Sequence, residues 1–124
     1  MSELKTLAKR LVNECLNPKA ASNLAEFYTP DAVFHGGMDG KHTGHDALRA
    51  VIDFYAQKIP NIEYRAEELI EEGDIVVMRW TCYLDPTSKE NPQIPGITIL
   101  RYTDNLVSEI WQEWDKSLLQ RFGY

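Results

Sequence analysis

Long apolar runs are missing from this 124-residue chain. The longest is Ile75-Val76-Val77-Met78, far short of the roughly 20 residues that cross a bilayer, so no membrane partner is expected. The opening stretch MSELKTLAKR lacks the apolar segment of a secretion signal, and the chain is read as cytoplasmic. Cysteine is scarce: Cys15 and Cys82 are the two present, and each sits in an apolar pattern that reads as a reduced, buried thiol rather than a disulfide or a nucleophile. Basic residues are in the minority, 13 Lys and Arg against 19 Asp and Glu, for a net charge of −6. Without a basic stripe such a chain repels phosphate backbones, so nucleic acid is excluded as a partner. Neither a glycine-rich cofactor fingerprint nor a nucleophile elbow occurs, and no cofactor is expected. Repeats, linkers and low-complexity segments are absent too, which leaves one domain over residues 1–124.

What is present is ordinary globular material, 44% hydrophobic and 26% charged. Leu4, Leu7, Ala8, Leu11, Val12, Cys15 and Leu16 recur at helical spacing, with Ser2 as N-cap and Pro18 as the stop. A short second helix from Ser22 to Tyr28 ends at Thr29-Pro30, and Ala32 to His35 reads as a strand. Glycines break the stretch from Gly36 to Gly44 into a loop. A third helix then runs to Lys58 with a core stripe of Leu48, Val51, Ile52, Tyr55 and Ile59. Beyond Pro60 the period changes to two. Strands are expected at Ile62 to Glu71, Ile75 to Asp85, Ile97 to Thr103 and Val107 to Asp115, followed by a short C-terminal helix. The result is an α+β domain: three N-terminal helices packed in a strongly curved antiparallel sheet that forms a cone with an open mouth.

Three stretches make this outline specific: FYTPDAVFHG at Phe27 to Gly36, GHDALRAVIDFYAQKIPNI at Gly44 to Ile62, and SEIWQEWDKSLLQRFG at Ser108 to Gly123. They resemble the nuclear transport factor 2-like superfamily and, within it, the SnoaL-like polyketide cyclases. The resemblance rests on His35 ending the first strand, Gly44 and Leu48 opening a helix, and the ending Glu109, Trp111, Asp115, Leu118, Leu119, Gln120 and Gly123. It implies the cone fold, a homodimer, and an acid/base aspartate at Asp115. The chain departs from the cyclase pattern in the loop DPTSKENPQIPG, where Pro95-Gly96 is the one remnant of a glycine-rich segment. Ketosteroid isomerases share the superfamily, but their base, tyrosine and second acid fall here near Gly36, Val12 and Thr98, none of which carries the needed group.

Read by themselves, the residues allow two accounts of each candidate. Asp115 beside Trp111 and Trp114 is either a carboxyl tuned by apolar surroundings to move a proton next to a carbonyl, or a solvated cap of the last helix. His35 is either a substrate-side hydrogen-bonding group that assists Asp115 or a buried histidine satisfied by the backbone. Arg101 either meets a substrate oxygen or pairs with Glu109 or Glu113. Phe54, Trp80 and Trp111 are core or pocket wall. His35, His42, His45, Asp39 and Asp46 cluster in sequence without metal-ligand spacing, and no metal is expected. The expected function is therefore a pocket for a small apolar or carbonyl-containing molecule. The leading version is cofactor-independent acid–base chemistry by Asp115 and His35, with pocket residues Phe54, Trp80, Arg101 and Trp111. The alternatives are a non-catalytic ligand-binding domain and an interaction domain of the same fold.

Overall fold

The computed structural model describes residues 3–18, 21–36 and 40–124. Helix α1 spans Glu3–Leu11 and widens into a π-helical segment at Val12–Leu16, closed by the Asn17 amide donating to the Val12 carbonyl at 2.9 Å. The expected N-cap Ser2 lies outside the described residues. The second helix is a kinked 3-10 segment, Ala21–Glu26, because strand β1 begins at Tyr28 and claims the last residues of the expected span. β1 (Tyr28–His35) and β2 (Lys41–Thr43) precede α2 (His45–Lys58). Four long strands follow: β3 (Glu63–Glu72), β4 (Ile75–Tyr83), β5 (Gln93–Thr103) and β6 (Leu106–Trp114), and then the short α3 (Ser117–Arg121).

The strands form one sheet in the order β2-β1-β6-β5-β4-β3. It is mixed rather than wholly antiparallel, because β1 runs parallel to β6. Two prolines explain where the strand boundaries escaped the sequence pattern. Pro30 sits inside β1, but the β1–β6 register jumps between Tyr28 and Val33, so no ladder bond to β6 is lost there. Pro95 sits inside β5, one residue before the first β5–β6 pair, Gly96 with Trp114, so β6 is not there to need its N–H. The strand can thus begin at Gln93 instead of Ile97.

Alternation sorts each strand into two faces. Val76, Met78, Trp80 and Cys82 of β4, Thr98 and Leu100 of β5, and Ile110 of β6 are buried under the helices. Helix α1 and its π-helical extension supply Ala8, Leu11, Val12 and Cys15 against them, and α2 supplies Leu48 and Val51. Asn17 ties this helical layer to the sheet edge. Its side-chain amide donates to the Tyr64 carbonyl at 2.9 Å and its side-chain oxygen accepts from the Tyr64 N–H at 2.6 Å, standing in for a neighbouring strand. The core divides into two clusters, one around Leu24, Phe27, Phe34 and Tyr102 and one around Ile59, Ile62, Leu84 and Ile94.

Candidate functional site

Between the helical layer and the concave face lies a cavity of about 90 Å³. Leu11, Val12 and Leu16 wall it from the first helical segment, and Leu48, Val51, Ile52 and Tyr55 from α2. The sheet contributes Tyr28, Phe34, Tyr64, Met78, Trp80, Thr98, Leu100, Ile110 and Gln112. A smaller chamber of about 30 Å³ adjoins it, reaching Ile59, Trp114 and Leu119. Both chambers share Tyr55, Tyr64, Trp80 and Gln112 in their walls. Among the described residues, no charged side chain and no histidine lines either one.

The polar groups inside are few and neutral. The Trp80 indole N–H donates to Thr98 Oγ1 at 2.8 Å, and the Thr98 hydroxyl donates to Gln112 Oε1 at 3.3 Å. Burial pushes the Tyr28 and Tyr64 phenols well above their ordinary range and raises Tyr55 as well, so all three are neutral hydroxyls at physiological pH. Gly96 fits this wall by having no side chain: a Cβ there would overlap the Trp80 ring. Gly36, held at φ +92°, lies against the Gln112 backbone, where a Cβ would strike the Gln112 carbonyl.

Of the expected catalytic and pocket residues, Trp80 lines the cavity, and Asp115, His35, Phe54, Arg101 and Trp111 line neither chamber. The expectation that Asp115 and His35 face one cavity is corrected. Asp115 is exposed past the end of β6, where its Oδ1 accepts from the Ser117 backbone N–H at 3.0 Å and hydroxyl at 2.6 Å. These bonds, the hydroxyl first, hold its carboxyl below the usual range, the reverse of the upward tuning that acid–base work requires. His35 lies on the convex face. Its Nε2–H donates to Glu109 Oε2 at 2.8 Å and its ring stacks on Trp111 at 5.4 Å. Arg101 sits over the Trp111 ring at 5.3 Å and pairs with Glu109 at 3.5 Å and Asp74 at 3.8 Å. Phe54 is 43% exposed on the outer side of α2, edge-on to Tyr55.

The cause is strand parity. Glu109, Trp111 and Glu113 do share a face with Asp115, as read from sequence, but Ile110, Gln112 and Trp114 are the inward set. Packing by His35 and Arg101 shelters Trp111 on the outside. Gln112, Thr98, Tyr28 and Tyr64 went unremarked as site residues. The signal for Gln112 was its phase with the aliphatic Ile110. For Thr98 and Val12 it was their match to the isomerase positions, which mark the pocket even though the chemical groups are gone. In the histidine-rich stretch, Asp39 lies outside the described residues. His45 Nε2–H donates to the Tyr28 carbonyl at 3.0 Å, and Asp46 pairs with Arg49 at 3.0 Å. Among the described residues no metal-binding group of three forms.

The comparisons with known proteins fit this arrangement. A model of the SnoaL-like domain family matches residues 8–110. The chain belongs to the SnoaL-like domain family. Solved structures with this fold include wild-type IdmH of Streptomyces antibioticus, at TM-score 0.78 and 18% identity over 98% of this chain and 99% of that one. A SnoaL-like polyketide cyclase of Agrobacterium tumefaciens C58 gives TM-score 0.77 and 18% identity, covering 98% of each chain. An NTF2-like protein of unknown function from Cytophaga hutchinsonii gives 0.74 and 13%, over 97% and 96%. At these identities the likeness to solved structures establishes the fold. No curated protein matches the chain. No helix among the described residues is long and apolar enough to cross a membrane.

Proposed function

We propose that this SnoaL-like domain binds a compact, neutral, largely apolar molecule in the cavity under α1 and α2, without acid–base chemistry by the residues that line it. The observation that carries this reading is the lining itself: apolar side chains, three neutral phenols and a threonine–glutamine pair, with no ionised group among the described residues. Burying a charged ligand there would leave its charge uncompensated, at a cost of several kcal/mol. Size narrows the reading further. An apolar cavity of about 150 Å³ takes up benzene, so a chamber of about 90 Å³ suits a smaller body and not a fused-ring one. The test is a melting-temperature screen with small neutral ketones, esters and hydrocarbons beside carboxylates and amines of equal size. Neutral compounds should raise the melting temperature, and Val51→Phe, which fills the chamber, should abolish the rise. Equal stabilisation by the charged compounds, or none by any, would overturn the reading.

The convex face supports a second copy as partner. The pairing register aligns Ile70, Val77, Ile99, Trp111 and His35 in one outward row across five strands. Ile70 is 59% exposed and the neighbouring Ile97 48%, an apolar stripe of the kind two-fold dimers bury. Its rims carry both signs, Glu68 with Arg79 on one side and Arg101 with Asp74 and Glu109 on the other, so a rotated copy can be met without like-charge apposition. Sedimentation should give twice the 14.3 kDa chain mass; the monomer mass at micromolar concentration would reject the dimer.

A further inference from the structure

We propose that Gln112 is the specificity-determining donor of the cavity and that it selects a ligand whose carbonyl oxygen sits at the junction of the two chambers. The proposal rests on the binding function above and adds the ligand's chemical class and orientation. Its basis is that the polar chain in the wall has only one workable direction. An indole N–H can donate and never accept, so the 2.8 Å bond from Trp80 occupies a lone pair of Thr98 Oγ1. The single hydroxyl hydrogen of Thr98 is then free to donate to Gln112 at 3.3 Å. Were the amide turned over, its NH₂ would face that oxygen, and the hydroxyl hydrogen would be stranded in an apolar wall. Thr98 is only 3% exposed, so no solvent is available to relieve it. The chain Trp80 to Thr98 to Gln112 thus fixes the amide oxygen toward Thr98 and leaves the amide NH₂ as the outgoing end.

That NH₂ makes no hydrogen bond to another described residue. Gln112 belongs to the walls of both the 90 Å³ chamber and the 30 Å³ chamber, so the free donor stands where they meet. Tyr64, in both walls as well, likewise has no hydrogen-bond partner for its hydroxyl among the described residues. Two neutral donors at a junction, flanked by apolar chambers of unequal size, match a neutral acceptor with a larger apolar group on one side and a smaller one on the other. A ketone or aldehyde of on the order of four or five non-hydrogen atoms fits, by scaling from the ~150 Å³ cavity that accommodates benzene. Among the described residues the wall offers no cation to match a carboxylate or phosphate, and no carboxylate to match an amine.

The experiment titrates butanone and 2-methyl-1-butene into the whole chain, following backbone and tryptophan indole NMR signals. The two probes have the same shape and differ in having an oxygen or a methylene at one position. In the native protein the ketone should bind more tightly. Gln112→Leu, close in volume, should weaken the ketone roughly three- to tenfold and leave the hydrocarbon unchanged or tighter. Thr98→Val, which releases the amide from its fixed direction, should weaken the ketone by a smaller factor and spare the hydrocarbon. Equal loss of both probes in Gln112→Leu would mean collapse of the wall and would overturn the proposal, as would undiminished ketone binding. If the native chain takes up the hydrocarbon as well as the ketone, the cavity stands as a binding site and the Gln112 assignment falls. If it binds neither, the proposed function falls with it.

Discussion

The two faces of strands β4, β5 and β6 are built from the same backbone, residue by alternate residue, and hold opposite chemistry. Toward the helices stand Val76, Met78, Trp80, Thr98, Leu100, Ile110 and Gln112, all cavity wall or core. Toward the outside stand Arg79, Arg101, Glu109 and Glu113, with Ile97 and Trp111 between them. Every carboxylate and guanidinium of these strands is on the convex side, where ion pairs such as Arg101 with Glu109 form. The concave side keeps only groups that donate or accept hydrogen bonds without changing charge near neutral pH. The face that encloses space can therefore recognise a ligand, and it lacks a residue poised to take a proton from it.

The comparison breaks first, and by the largest margin, on stability. Leu100 is 1% exposed and Ile97 is 48% exposed, three residues apart on one strand. Leu100→Ala should cost about 2–5 kcal/mol in a urea denaturation, from lost burial and the enlarged cavity. Ile97→Ala should cost no more than about 0.5 kcal/mol in the monomer. A large, concentration-dependent cost at Ile97 would instead place that side chain inside a dimer, and would convert the two-face contrast into two buried faces.

An alkaline titration sharpens the same contrast. Burial raises Cys15 to about 11 and Cys82 to about 12, and lifts the Tyr28, Tyr64 and Tyr102 hydroxyls above their ordinary range. All five are buried as neutral acids. In the unfolded chain thiols ionise near pH 8.5 and phenols near 10. Above those values the unfolded state gives up protons that the folded state keeps, so stability is full below about pH 8.5 and falls as pH rises. Denaturation midpoints measured between pH 7 and 11 should trace that fall, while both thiols stay unreactive toward alkylating reagents until unfolding. A flat profile through pH 11 would show that these groups ionise in place, and hence that the concave side is wet.

How far the sequence could be read follows from the same geometry. The order of the helices and long strands and the period change after Pro60 were legible because each depends on local spacing; the short β2, Lys41–Thr43, was not, because it lies in the glycine-broken stretch read as a loop and is a strand only through its pairing with β1. The parallel β1–β6 pair was not, since it joins residues such as Phe34 and Ile110 that no local pattern connects. Parity on β6 was read correctly, in that Asp115, Trp111 and Glu109 share a face, but parity does not say which face is inside. Tryptophan suggested the wrong one. Trp111 keeps its indole sheltered on the outside by stacking with His35 at 5.4 Å and under Arg101 at 5.3 Å, contacts between three separate strands. A glutamine in phase with Ile110 carries a weaker hydropathy signal than a tryptophan, and so Gln112 stayed hidden.

The smallest expected effect belongs to Asp115→Asn, and it separates the two accounts of that residue. In the structure Asp115 braces the turn that leads into α3: one carboxylate oxygen receives the Ser117 N–H at 3.0 Å and hydroxyl at 2.6 Å. Asparagine keeps an oxygen at that place and makes the same turn bond, so folding should be nearly unchanged. What the substitution removes is charge. The folded-state carboxyl titrates below its unfolded value, so its contribution is present above about pH 4 and is lost as pH falls through the folded value. The stability difference between the native chain and the Asp115→Asn variant should therefore be small at neutral pH and vanish on acidification, and affinity for butanone should be the same in both. An aspartate that served as the acid–base group would behave otherwise, with folding and binding kept and turnover of a carbonyl substrate abolished. Since Asp115 lies outside both chambers, equal ligand affinity without any turnover to lose is the outcome that agrees with a neutral, recognising concave face.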